Sequence, residues 1–496
     1  MGKLSLSLRY ILTYPNFSEF RNMPKLLPKS GLGGIKTSIF APLNCLNQNN
    51  MQKADGQQKP NYFLPFVLIT SLFFLWGFVH NLDPILIPHL KRSFSLSTLQ
   101  ASLVDSAVFI AYFVMALPAG FIMKKYGYKS GIIIGLILFA LGSFMFIPAA
   151  DTQAYIFFLG ALFIIACGLT ILETAANPYA ALLGEPETAS QRLNFAQSFN
   201  GLAATLAPII GAKLILSKGA TDAELNSMTE AARKLALASE ASTVKLPYFI
   251  LGAIILIIAI AFYFTRLPEI KDGDNEERSA SIFHAFKHRH LSWAVAAQFF
   301  YVGAQVCVFS FFILFASKTI PPGTAKDGLI QTIESVFKSL HIIDKVSDSD
   351  YFSYYLSTAG LLFMIGRFVG TFIMKYAKPN ILLAIYAAVN VILSAYVMNS
   401  SGVEAVYATI GIAFFMSIMF PTIFSLGIVN LGGDTKFGSS LIIMSIVGGA
   451  LLPPVFGYIS DATDHIQTAY AVPLVCFLVV FVFGAWGSSI RTKTVS

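Results

Sequence analysis

The sequence predicts an all-α polytopic membrane protein, on three observations. Its 496 residues are 55% hydrophobic and only 12% charged, whereas about 25% charged residues are usual in soluble domains. Apolar runs of roughly 20 residues, long enough to cross a bilayer as a helix, recur along the chain. The tetrapeptide FIMK occurs at 121–124 and again at 372–375, at the end of the second apolar run of each half. Together these observations predict twelve transmembrane helices in two pseudo-symmetric halves of six.

The predicted spans are numbered 1 to 12 in chain order. They are 62–88, 99–123, 131–150, 155–181, 192–216, 246–266, 291–316, 351–375, 380–398, 403–429, 437–460 and 470–489. The predicted domains are a disordered cytoplasmic tail (1–61), an N-terminal half (62–266), a cytoplasmic linker (267–290), a C-terminal half (291–490) and a short cytoplasmic tail (491–496). Since Met51 precedes a short polar lead-in, we interpret residues 1–50 as a start-site extension.

Charge predicts the orientation. Lysine and arginine follow the even-numbered spans 2, 4, 8, 10 and 12, while the short loops at the opposite end are nearly free of them. By the positive-inside rule both termini are cytoplasmic, and the expected location is the cytoplasmic (inner) membrane. The net charge of +8 is spread over loops and forms no stripe that would bind nucleic acid.

The sequence gives no sign of enzymatic or metal chemistry. The four cysteines are far apart, and neither a CxxC pair nor a His/Cys cluster stands out. The HExxH and GxSxG motifs of membrane-embedded hydrolases are missing from the sequence. We therefore expect neither an enzyme nor a bound cofactor or metal.

Glu173 is the first candidate for chemistry. It follows an apolar run from Tyr155 to Leu172, and a charge at membrane depth costs about 2.5–3.5 kcal/mol even on lenient scales. Burial disfavours the ionised form, so a carboxyl here can exchange a proton near neutral pH. A purely structural carboxylate is the alternative, although buried ions stabilise poorly. Glu173 is therefore predicted to carry a coupling proton.

Two aspartates are further candidates for proton coupling. Asp83 lies inside span 1 directly before Pro84, which breaks the helical hydrogen-bond ladder there. Asp105 lies at a similar depth from the start of span 2. The alternative for Asp83 is that it caps the broken helix. The alternative for Asp105 is that it lies near the membrane surface and is hydrated from outside.

Amides and aromatics in the spans are candidates for binding a polar solute. They are Asn81, Asn177, Asn194, Gln197, Asn200, Gln305, Trp76 and Tyr301. The spacing of three between Asn194, Gln197 and Asn200 places them on one helical face. Hydrogen bonding between helices is the alternative for each amide, and packing for each aromatic residue.

Several blocks in order resemble the fucose permease family of the major facilitator superfamily. They are FFLWGFVHNL near Trp76, FIMKKYGYKSG near Lys124, LETAANPY at Glu173, RLNFAQSFN at Arg192, QFFYVGAQ near Tyr301, GRFVGTFIMK near Arg367 and LGGDTKFGSS near Asp434. The resemblance implies a twelve-helix major facilitator fold that acts as a monomer and binds solute between its halves. It also implies proton-driven import of fucose, galactose or glucose, with Glu173 as a coupling acid and Gln197 and Asn200 in the sugar and proton path.

The resemblance leaves two points open. The family has its span-1 aspartate where Pro84 stands here, so Asp83 is one residue early, a turn of about 100° on a helix. Asp105 is a candidate substitute. Sodium-coupled or uncoupled transport is the alternative mechanism, and a membrane enzyme or receptor is the remote one.

The segment GFIMKKYGYKSG resembles the superfamily's loop between spans 2 and 3, which implies a role in conformational gating. The predicted gating residues are Gly120, Lys124, Lys125, Gly127, Lys129 and, in the second half, Arg367. Gly127 suits a tight turn, and the lysines suit the carbonyls at neighbouring helix ends. A purely orienting role for these bases is the compatible alternative.

Overall fold

The computed structural model describes residues 63–82, 86, 89–90, 93–94, 98–211, 227–265, 267–268, 282–321, 327–328, 330–332, 335 and 348–489. The predicted tails and most of the linker lie outside this part of the chain, as does Asp83. The helix Thr98–Thr152 contains the backbone of Asp105, but its side chain is outside the description.

The described chain is an α-helical bundle. In the first half, span 1 is Phe63–His80, spans 2 and 3 are the two parts of Thr98–Thr152, span 4 is Tyr155–Leu182, span 5 is Ala189–Gly211 and span 6 is Lys245–Phe264. In the second half, span 7 is Arg289–Ser310 with Phe312–Thr319, span 8 is Asp348–Ile373 and span 9 is Pro379–Asn399. Span 10 is Gly402–Met416 with Met419–Gly427, span 11 is Thr435–Met444 with Gly448–Thr463, and span 12 is Ala471–Val482 with Phe483–Gly487.

Length and composition alone qualify ten helices of the described chain as membrane spans. Spans 2 and 3 fall within one of these helices, which is broken at Gly127 by a non-helical backbone (φ 79°). A glycine adopts this conformation without steric cost. Span 5 is not among the ten. Counting the broken helix as two and adding span 5 gives twelve spans.

Span 5 does not qualify because it is too polar. Its polar side chains are tolerated because the helix is buried among other helices. It packs against spans 1 and 4 of its own half and against spans 8 and 10 of the other half. Its side chains Asn194, Gln197 and Ser198 are almost completely buried. Polar groups at membrane depth face the interior of a bundle, so the composition of span 5 reflects its position between the halves.

The repeated segments of the two halves have matching structures. The 3-10 turn Pro186–Thr188 leads directly into span 5, and the turn Gly432–Asp434 leads directly into span 11. Both turns lie at the end of the bundle that also carries the Gly127 turn and the short helix Ile282–Ala285, which we call the linker end. There Lys129 donates hydrogen bonds to the carbonyls of Tyr263 (2.8 Å) and Thr265 (2.9 Å) at the end of span 6.

The first helix of span 1 stops at His80, and a turn follows at Asn81 and Leu82. Of the rest of the predicted span, to residue 88, residues 83–85 and 87–88 lie outside the described part of the chain. Asn81 Nδ2 donates to the carbonyl of Gly77 at 2.6 Å. The Gly77 carbonyl therefore accepts two hydrogen bonds from Asn81, one from its side chain and one from its backbone N–H at 3.2 Å.

Spans 3 and 4 approach closely through glycines. A Cβ on Gly168 would lie 2.6 Å from the Gly135 carbonyl oxygen and 2.6 Å from the Phe139 backbone nitrogen. Small residues at such contacts let backbones pack, which drives helix association where the lipid is as apolar as the side chains.

We expect Gly168→Ala to lower the thermal unfolding temperature of the purified protein, because the added methyl group meets backbone rather than a flexible side chain. Overpacking of this kind costs about 1–3 kcal/mol. Gly160→Ala is the matched control, since a Cβ on Gly160, in the same helix, meets nothing within 4 Å. Equal unfolding temperatures for the two variants would contradict this packing.

Candidate functional site

Glu173 lies about two thirds of the way along span 4, with 8% of its surface exposed. The hydroxyl of Tyr112, from span 2, donates to Glu173 Oε1 at 2.5 Å. Within the described chain no lysine, arginine or histidine forms an ion pair with this carboxylate. A carboxyl held by a neutral donor can gain or lose a proton without breaking an ion pair.

Two amides extend the polar contacts from Glu173 to span 5. Asn177 Nδ2 donates to the backbone carbonyl of Glu173 at 2.9 Å, one helical turn earlier. Gln197 Nε2 then donates to Asn177 Oδ1 at 3.1 Å. Both amides are buried, so their hydrogen bonds fix the position of span 5 against span 4.

Arg367 continues these contacts into the second half. It is 4% exposed, and its Nη1 donates to the Gln197 carbonyl at 2.6 Å while Nε donates to the Ser417 carbonyl at 3.0 Å. The guanidinium carbon lies 4.5 Å from the centre of the Phe363 ring, a cation–π distance. Arg367 therefore connects spans 5, 8 and 10 from inside the membrane-spanning region.

The break in span 10 provides the backbone carbonyl, that of Ser417, to which Arg367 donates. The helix is interrupted at Ser417 and Ile418, and a carbonyl at a helix break has no intrahelical partner. Span 8 approaches this break through Gly366, whose Cβ would lie 2.6 Å from the Phe414 carbonyl oxygen. Arg367 lies within span 8, as predicted, and the structure places it at a contact between the halves.

The remaining predicted solute-binding residues lie in several environments. Trp76 is buried against Phe73 with ring centres 4.2 Å apart, and Tyr301 is fully buried with its ring 6.4 Å from that of Phe420. Asn200 and Gln305 keep part of their surface exposed. Asn200 lies against span 1, where a Cβ on Gly77 would come within 2.7 Å of its Nδ2.

A second group of contacts between the halves lies at the linker end. Asn194 Nδ2 of span 5 donates to Thr422 Oγ1 of span 10 at 3.0 Å, and Ser190 and Ser425 share a hydrogen bond of 2.6 Å. Ser439 of span 11 donates to the Thr174 carbonyl of span 4 at 2.6 Å. Asn194, predicted to bind solute, thus contacts the other half in this structure.

The predicted gating loop contributes to the same closure. The rings of Phe121 and Phe437 pack edge to face with their centres 5.1 Å apart. Lys124 Nζ lies 5.4 Å from the centre of the Phe437 ring. Gly120 permits this approach, because a Cβ there would lie 2.3 Å from Ser440 Oγ. Spans 2 and 11 are therefore in close contact, and the linker end is closed.

Sequence reasoning missed several partners. Tyr112 is one of 20 tyrosines and nothing in its local pattern marks it. Ser190, Thr422, Ser425 and Ser439 are small hydroxyl residues, which are common in membrane helices. Their only signal is position, since Ser190 and Ser439 begin spans 5 and 11, which occupy equivalent places in the two halves.

Two six-helix halves with a buried carboxylate and amides where they meet define a secondary transporter of the alternating-access type. Residues 67–444 match the model of the Major Facilitator Superfamily. The L-fucose-proton symporter of Escherichia coli (strain K12) is 40% identical over 446 residues, which are 88% of this chain and 96% of that protein. The chain belongs to this superfamily and, within it, to the fucose permease family of transporters, as its sequence motifs suggested.

Two further relatives support the assignment. A glucose/galactose transporter of Brucella abortus biovar 1 (strain 9-941) is 38% identical over 440 residues, covering 89% of this chain and 98% of that protein. A crystal structure of the transporter FucP in the outward conformation superimposes with a TM-score of 0.76 at 39% identity. The alignment covers 86% of this chain and all of that one. The twelve-helix fold expected from the sequence is confirmed.

Closure of the linker end leads to a cross-linking prediction. In a background without the native cysteines, we expect Ser190→Cys with Ser425→Cys to form a disulfide under mild oxidation. The two side-chain oxygens are 2.6 Å apart, and mass spectrometry of the linked peptides detects the product.

The pair Ser190→Cys and Thr409→Cys is the control, since Thr409 lies about 24 Å further along span 10 at 1.5 Å per residue. Failure of the first pair to cross-link, although both cysteines react with a maleimide, would contradict a closed linker end.

Proposed function

We propose that the chain is a secondary active transporter that imports a monosaccharide, namely fucose, galactose or glucose, by proton symport. The observation that carries the proposal is the buried Glu173 carboxylate, bound by a neutral tyrosine and joined through Asn177 and Gln197 to Arg367 of the other half. Two of its relatives, an L-fucose-proton symporter and a glucose/galactose transporter, supply the substrate class.

The contacts suggest how protonation is coupled to conformation. Glu173 is held through its side chain by span 2 and through its backbone by Asn177. An ionised carboxylate without a cation is costly at membrane depth, so protonation favours states in which Glu173 is away from water. Loaded carriers would therefore reorient with Glu173 neutral, and loss of the proton to the cell interior would follow.

Reorientation must break contacts between the halves. Opening the linker end separates Asn194 from Thr422 and Ser190 from Ser425. Arg367 donates to carbonyls of both halves, so movement of one half against the other changes its hydrogen bonds beside the site. Gating acts through the turn between spans 2 and 3, whose proposed gating residues are Gly120, Lys124, Lys125, Gly127 and Lys129. The contacts of Lys129 with span 6 fit this role.

The closed linker end supports an outward-facing state and an orientation. Basic residues cluster at this end, so we place it, the linker and both termini in the cytoplasm and the protein in the cytoplasmic membrane. The proposed solute path then opens to the outside past Asn200 and Gln305, which keep part of their surface exposed. The transporter is proposed to act as a monomer, with the bilayer, the sugar and the proton as its partners.

Coupling to sodium is the second candidate mechanism, with uncoupled transport as a third. A sodium site needs several oxygen ligands at one point. The described surroundings of Glu173 provide only the Tyr112 hydroxyl as a side-chain contact to the carboxylate. Proton coupling therefore fits this carboxyl better. Asp83 and Asp105 remain candidates for a second proton site.

The decisive variant is Glu173→Gln, compared with wild type in proteoliposomes. We expect an inward proton gradient to stimulate uptake of labelled fucose, galactose or glucose by wild type. The variant should lose this stimulation and retain sugar counterflow, because a glutamine keeps the hydrogen bond but carries no exchangeable acidic proton. Replacing the gradient by an inward sodium gradient tests the rival mechanism.

Glu404→Gln is the matched control, since Glu404 is exposed at the start of span 10 and pairs only with Tyr396 among the described residues. It should behave as wild type. Stimulation by sodium alone would reject proton coupling, and stimulation by protons that persists in Glu173→Gln would remove Glu173 from the coupling path.

A further inference from the structure

A second cluster of ionisable side chains lies away from the transport site, where the linker meets the start of span 11. It consists of His284, His288 and Asp434. Asp434 ends the turn Gly432–Asp434 immediately before span 11, and His284 belongs to the short helix Ile282–Ala285. One ligand atom from each of the three residues lies within 4.8 Å of the other two. In the sequence, the one mark of this cluster is the four-residue spacing of its two histidines.

The distances in the cluster are close to those of a metal site. His288 Nε2 lies 3.3 Å from Asp434 Oδ2, and His284 Nδ1 lies 2.5 Å from the same oxygen. Two ligands bound tetrahedrally to one zinc ion at about 2.0–2.2 Å are about 3.4 Å apart. The His288 pair already has this separation. The His284 ring, whose side chain is 41% exposed, has to retreat by only about 1 Å.

Asp434 supplies an independent indication of a ligand. The residue is 3% exposed, and its Oδ1 has no hydrogen-bond partner in the described structure. A buried carboxylate oxygen left without a partner is costly. A cation bound beside Asp434 would offset that cost.

The donor set selects the kind of cation. Two imidazole nitrogens and one carboxylate oxygen suit zinc and its neighbours, whereas magnesium and calcium prefer oxygen ligands alone. His290 is not a member of the cluster, and its Nε2 lies 2.9 Å from the Val429 carbonyl. Water would complete the coordination.

We infer that His284, His288 and Asp434 form a binding site for a divalent transition-metal ion, best matched by zinc, which fastens the linker to the start of span 11. Phe437 and Ser439, which close the linker end against Phe121 and Thr174, follow directly after this point. A bound ion would hold the start of span 11, from which these contacts arise, to the linker.

The test is zinc binding to the full-length protein, purified in detergent with a tag that contains no histidine. Titration of metal-free protein against a chromogenic zinc chelator should give one zinc ion per chain. His284→Ala and His288→Ala should each weaken binding at least about tenfold, as loss of a metal contact commonly does. Calcium and magnesium should not compete. Zinc should also raise the unfolding temperature of wild type but of neither variant.

His465→Ala is the matched control, since His465 is exposed and lies outside the cluster. It should bind zinc as wild type does. Each histidine variant also loses a hydrogen bond to Asp434, so the shift in unfolding temperature on addition of zinc, rather than the zinc-free value, separates a lost ligand from a damaged fold. Absence of stoichiometric binding in wild type, or equal binding by wild type and both histidine variants, would overturn the site and leave only hydrogen bonds between the histidines and Asp434.

Discussion

Most features of this molecule follow from one constraint, that polar groups inside a membrane protein must find partners within the protein. Span 5 carries polar side chains along a face that lipid would not tolerate, so it is enclosed by spans 1, 4, 8 and 10. Its side chains and carbonyls then become the connection between the halves: the Gln197 carbonyl accepts from Arg367, and Asn194 donates to Thr422. The same helix is therefore both the least apolar span and the centre of the fold.

A site built in this way is suited to movement. Hydrogen bonds to hydroxyls and carbonyls can be exchanged for water or solute at small net cost, whereas a tightly packed apolar contact cannot. The linker end combines both kinds of contact, since Ser190 and Ser425 share a hydrogen bond beside the ring contact of Phe121 and Phe437. Arg367 binds carbonyls rather than a carboxylate, which leaves Glu173 without a permanent counter-ion.

The sequence predicted the fold well because hydrophobic length and the repeat of the halves are local signals. The predicted number of spans and the predicted family were both correct, and the chain turns at Gly127 as predicted. Pairings across the halves were not predictable, since they depend on which side chains meet after packing. Asn194 illustrates this: its spacing with Gln197 was recognised, but its partner Thr422 lies 228 residues away. Arg367 was recognised as important but was compared with loop bases rather than placed at the site.

Proton symport itself is tested most directly by following the proton. In a lightly buffered suspension of cells that express the protein, addition of the transported sugar should raise the external pH as protons enter with it. Cells that express Glu173→Gln should show no such rise, although sugar still equilibrates across their membrane. Sugar entry into wild-type cells without any change in external pH would contradict proton symport.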